Sequence, residues 1–83
     1  MSNQDELLQR IVIDPKRMVG KPTIRGTRLT VEYVLNLLAN GASFDEILEE
    51  YNGLTEADIY ACLLFATKSL QDTTFMPLMA EPA

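Results

Sequence analysis

Two Asn-Gly pairs, Asn40-Gly41 and Asn52-Gly53, punctuate the second half of an 83-residue chain. Each closes a run of apolar residues at helical period, and glycine or asparagine just past a helix end takes up the left-handed backbone that stops it. Two residues beyond each pair stands a hydroxyl residue, Ser43 or Thr55, of the kind that starts a helix. With Thr30 upstream, these signals divide residues 30–70 into three helices.

The first helix is capped by Thr30 and carries Glu32 in its opening turn, where the helix dipole favours a negative charge. Val31, Val34, Leu35 and Leu38 form its apolar stripe. The second opens on a capping box, Ser43 and Glu46 in SFDE, and repeats Phe44, Ile47, Leu48 and Tyr51. In the third, Thr55 caps, Asp58 takes the third helical position, and Leu54 is placed to staple onto Ile59. Its body, IYACLLFA, is apolar nearly all round, the mark of a helix buried on more than one side. A domain this small buries only about two-thirds of its unfolded surface and has little material to cover both faces. A second copy of the chain is the simplest cover, so a homodimer is expected; the alternative is that the hairpin and tail do the covering.

Ahead of the helices, residues 1–9 are polar and read as a flexible N-terminus or one helical turn. RIVID (10–14) holds three consecutive β-branched residues and reads as a short strand, ended by Asp14-Pro15. A basic connector over 16–22 leads to TIR-GT-RLT, two short strands around the two-residue loop Gly26-Thr27. Glycine at the first loop position is the type II′ signature. That register sets Thr23 opposite Thr30, Ile24 opposite Leu29, and Arg25 opposite Arg28. Like charges facing across strands repel. Either an oxyanion settles between the two guanidinium groups, or the long arms splay into water.

Charge is unevenly spread. The chain has seven basic and twelve acidic residues, net −5. Arg10, Lys16, Arg17, Lys21, Arg25 and Arg28 oppose only Asp5, Glu6 and Asp14, so residues 1–28 carry +3 and the remainder −8. A basic end on an acidic chain suits a polyanion, or balances the acidic helices within the fold.

Catalytic chemistry finds no support. There is no histidine, hence no Ser-His or Cys-His pair. Cys62 sits mid-helix among apolar residues, where a thiol is an inert core residue. Asp45, Glu46, Glu49 and Glu50 share a helix, which makes a metal site conceivable and a solvated acidic face the simpler reading. No phosphate-binding glycine loop is present. No catalytic residue, cofactor or metal is therefore expected. A lone cysteine argues against a disulfide-stapled secreted fold, the N-terminus lacks signal-peptide character, and no apolar run reaches the ~18 residues of a membrane span. A cytoplasmic protein with no membrane partner is expected.

Binding remains. SFDEILEEY-NGL-TEADIYACLLFA has the cadence of a helix-turn-helix. The start of the second helix of such a motif normally enters the major groove, yet here it offers Glu56 and Asp58 and no base. Phosphate contacts are thus expected from the basic segment, with Arg17, Lys21, Arg25, Thr27 and Arg28 as the nucleic-acid-binding residues and the hairpin tip entering a groove.

The stretch from Arg10 to Ala66 resembles the small prokaryotic family catalogued as domain of unknown function 433. The resemblance rests on Asp14-Pro15, Gly20-Lys21-Pro22, Ile24, Gly26-Thr27-Arg28 and Val31, then on the acid-rich cadence from Ile47 to Ala66. It implies a mainly α fold, a three-helix homeodomain-like helix-turn-helix with a short N-terminal β-hairpin. It also implies an antitoxin of a toxin–antitoxin pair, partnered by a PIN-like ribonuclease and repressing its own operon; no catalytic residue is implied. One domain is expected over 10–70, with a flexible tail over 71–83 whose Phe75, Met76, Leu78 and Met79 are either a partner motif or packing residues. The competing reading is a protein-interaction module that neutralises a partner without binding DNA.

Overall fold

The computed structural model of the protein describes residues 3–16 and 18–71. Arg17 and the tail beyond Gln71, both singled out above, lie outside the described residues. The chain is mainly helical. In order come α1 (Asn3–Leu8), β1 (Ile11–Ile13), a single 3-10 turn (Met18–Gly20), β2 (Pro22–Ile24), α2 (Val31–Ala39), α3 (Phe44–Glu50) and α4 (Glu56–Gln71).

The three later helices begin where their caps foretell. Thr30 Oγ1 accepts from the Tyr33 amide at 3.0 Å and starts α2. Ser43 and Glu46 close both halves of the capping box that opens α3, at 3.1 and 2.8 Å. At α4 the Asp58 amide donates to Thr55 Oγ1 at 3.3 Å, while Asp58 Oδ2 accepts from the Thr55 amide at 2.9 Å. Caps of this kind each contribute about 1 kcal/mol. Beyond α2, Gly41 has φ 97°, a conformation other residues adopt only under strain.

Ile24, Val31, Val34, Ile47, Leu54, Ile59 and Cys62 form the buried core, drawn from β2, all three later helices and the turn before α4. Leu54 and Ile59 lie in that cluster, as a staple requires. Each fully buried aliphatic side chain stabilises the fold by about 1.5–3 kcal/mol. The apolar girdle foreseen for α4 is only half covered. Ile59, Ala61 and Cys62 are buried, whereas Tyr60, Leu63 and Leu70 remain exposed along one flank.

Residues 3–8, within the stretch read as a flexible N-terminus or one helical turn, form α1, which lies against α4. Leu7 and Leu8 are half-buried there, which holds a helix too short to persist alone. The ribbon departs from expectation. β2 pairs with β1, antiparallel, with Ile11 opposite Ile24, Val12 opposite Thr23 and Ile13 opposite Pro22. The expected partner, residues 28–30, contributes one isolated bridge, Thr23 to Thr30, and one bond from the Ile24 amide to the Leu29 carbonyl at 3.0 Å.

The register of that second arm is as expected, but the turn is not. Thr27 N donates to Ile24 O at 3.0 Å, so Arg25 and Gly26 are the corner residues. Gly26 at φ 82° takes the third position, the place a type II turn reserves for glycine. Thr27 Oγ1 donates to Ile24 O at 2.9 Å and accepts from Leu29 N at 3.0 Å. Those side-chain bonds occupy groups that a longer ladder would use.

Among the described residues of the connection between the strands, 14–21, one non-glycine residue is a conformational outlier. Val19 has φ 55° and ψ 37°, and it is 93% exposed. A β-branched residue in the left-handed region costs about 1–2 kcal/mol.

Candidate nucleic-acid interface

The ribbon register places the expected binding residues at two sites. Of those described, Lys21 belongs to the loop beyond the Ile13–Pro22 pair, where Lys16 joins it although it was not among the expected residues, while Arg25, Thr27 and Arg28 belong to the turn beyond the Ile11–Ile24 pair. Three-residue strands hold those ends roughly 7 Å apart along the backbone, before the loops themselves are counted.

The opposed arginine pair does not form. Arg25 turns its fork onto the main chain, with Nε and Nη2 donating to the Gln9 carbonyl at 2.9 and 2.7 Å, and its amide donates to Arg10 O at 2.7 Å. Arg28 is exposed and makes no hydrogen bond or ion pair among the described residues. The shift of the turn by one residue causes this, because Arg25 becomes a corner while Arg28 lies beyond the turn. Thr27 is occupied within the turn. Lys21 Nζ contacts Glu32 Oε1 at 3.1 Å, both groups well exposed. A surface pair of that sort is worth about 0–1 kcal/mol and yields readily to a phosphate.

The start of α4 is less acidic than its sequence. Asp58 is buried, with Oδ1 accepting from Arg10 Nη1 at 3.1 Å and Oδ2 held by Thr55. Glu56 alone faces solvent of the two acids, and no cation joins it within that first turn. The sequence marked Asp58 as a cap; nothing local marked Arg10, 48 residues away, as its second partner.

Burial, and then the Asp58 charge, push the Cys62 thiol up to about 12, so it stays protonated. On the surface, the Tyr33 and Tyr51 hydroxyls meet at 2.5 Å with their rings edge-on. The Tyr33 hydrogen bond is the main cause that raises Tyr51 to about 12, with desolvation and neighbouring charges adding to it. Among the described residues no three His, Cys, Asp or Glu side chains gather to hold a metal, and no helix is long and apolar enough to cross a membrane.

Residues 11–66 match the family described as Protein of unknown function (DUF433). The chain belongs to the DUF433 family. A crystal structure of a DUF433 member protein from Anabaena variabilis is similar, at 31% identity and TM-score 0.71, over 84% of this chain and 70% of that one. No curated protein matches the sequence. The DUF433 match runs from the first residue of β1 to within five residues of the end of α4, so ribbon and helices are one family unit.

Proposed function

We propose that this DUF433 protein is a non-enzymatic regulator of the antitoxin type, which binds DNA through its basic ribbon and a PIN-like toxin through its acidic helical body. The observation that supports the DNA half is the set of exposed cations, Lys16, Lys21 and Arg28, at the two ends of one ribbon on a chain of net charge −5. Lysine and arginine so placed neutralise phosphates and release counter-ions. Arg10 and Arg25 are structural in this reading, since they hold Asp58 and Gln9. The α4 flank of Tyr60, Leu63 and Leu70 supports a homodimer.

Fluorescence anisotropy on duplex DNA from upstream of the coding sequence, at several salt concentrations, tests the reading. Affinity should fall with salt, and Lys21→Glu/Arg28→Glu should weaken binding and flatten the salt slope by about 1 per lost phosphate contact. Absence of wild-type binding at low salt would remove the DNA half. A second reading is a module that covers a partner protein without touching DNA. It is favoured by the same apolar flank of α4, and co-purification with the product of an adjacent gene, with no DNA shift, would select it.

A further inference from the structure

We propose that Val19 is an apolar wedge, which the β1–β2 loop inserts between base pairs of a duplex while Lys16 and Lys21 grip the flanking phosphates. The inference rests on the nucleic-acid reading above and names the element that would enter the groove.

Among the described residues, five have a positive φ, and four of them are Gly20, Gly26, Gly41 and Gly53. The fifth is Val19. Among the described residues a left-handed backbone thus falls on glycine everywhere except at one position in this loop, where it falls on a β-branched side chain. Burial does not compensate the strain, because Val19 is 93% exposed. Strain retained on an exposed residue points to a task outside the folded monomer.

The loop that carries Val19 is held at both feet. Asp14 Oδ1 accepts from the Lys16 amide at 2.9 Å on one side. On the other, Pro22 is paired to Ile13. Lys16 and Lys21 are exposed and flank Val19 in sequence.

An aliphatic tip framed by cations matches the way architectural proteins unstack a base step. Protein hot spots draw instead on Trp, Tyr and Arg, and valine is under-represented there. A bilayer surface is held by a whole amphipathic helix face or an acyl chain rather than one isopropyl group.

Val19→Gly separates the wedge from the fold, since glycine accepts φ 55° without strain. The variant should melt higher than wild type. It should also bind the upstream duplex about ten-fold more weakly, the loss expected for one aliphatic side chain left unburied. Its salt slope should be unchanged because the phosphate contacts remain. Val19→Ile should bind as wild type. In a duplex carrying 2-aminopurine at its pyrimidine–purine steps, wild type should raise the fluorescence of one step and Val19→Gly should not. Equal affinity for wild type and Val19→Gly, with no 2-aminopurine response from either, would overturn the wedge and leave phosphate binding intact. Failure of wild type to bind the duplex at low salt would overturn both readings. Val19-dependent binding to phosphatidylglycerol vesicles, without any duplex binding, would assign the tip to a bilayer instead.

Discussion

Arg10 Nη1 and Asp58 Oδ1 meet at 3.1 Å across 48 residues of sequence, joining the foot of β1 to the first turn of α4. The acid side of this pair is 10% exposed and the base 44%, so the carboxylate is the group with most to lose. Arg10→Ala should destabilise the protein by about 1–3 kcal/mol, because a buried charge is left with its cap alone. Asp58→Ala should cost more, since the α4 cap is lost as well. Urea unfolding of both variants and the double variant closes the cycle; a coupling below about 0.3 kcal/mol would mean the contact contributes nothing of its own.

Gly26 supplies the third position of the Ile24–Thr27 turn at φ 82°, and nothing lies within 4 Å of where a Cβ would stand. The expected cost of Gly26→Ala is therefore conformational, about 1–2 kcal/mol, with no clash added. Thermal unfolding measures it. An unchanged midpoint would show that the turn relaxes to another type.

Cys62 gives the protein a pH signature on the alkaline side. Its thiol moves from the ordinary value of 9.0 up to about 12 on folding, through burial first and the Asp58 charge second. The unfolded chain therefore ionises before the folded one. The stabilisation is fully present below pH 9 and is lost as pH climbs from there toward 12, with a slope of at most about 1.4 kcal/mol per unit. Tyr51, raised from 10.0 to about 12, acts in the same direction over a narrower span. Chemical denaturation between pH 7 and 10.5 should show the decline, and Cys62→Ala should lessen it. Rapid labelling of the folded protein by a thiol reagent at pH 8 would contradict the protonated, inaccessible thiol.

Tyr60, Leu63 and Leu70 recur along α4 at helical spacing and stay exposed in a single chain. Sedimentation equilibrium should find a dimer. Leu63→Glu, which places a charge in the middle of that flank, should weaken the association at least ten-fold without lowering helix content by circular dichroism. A wild-type protein that stays monomeric at high micromolar concentration would show the flank to be ordinary solvated surface.

The helical half was legible because its signals are local. Ser43 with Glu46 and Asn40 with Gly41 each state a boundary within four residues, and α3 begins at the one and α2 ends at the other. The ribbon was legible only in part. Residues 11–13 and 23–24 were each read within strands, but which arm joins which is a long-range choice that alternation cannot decide. Gly26 suits the first corner of one turn type and the second corner of another. The sequence left that choice open, and the Thr27 hydroxyl decides it through bonds to Ile24 and Leu29. Of the expected binding residues, Lys21 and Arg28 remain available at opposite ends of the ribbon, Thr27 is taken by its turn, and Arg25 is turned toward the backbone. Asp58 and Arg10 were both visible as charges, yet only the fold brings them together.

Arg25 grips the carbonyl at position 9 and not the glutamine side chain. Every amino acid supplies that oxygen, so the joint between the end of α1 and the turn is encoded at one position only. Saturation mutagenesis should find position 9 broadly permissive and position 25 intolerant, even of lysine, whose single ammonium cannot reproduce a two-pronged hold. Drift in the one and constancy in the other would then be the imprint this joint leaves on evolving sequences.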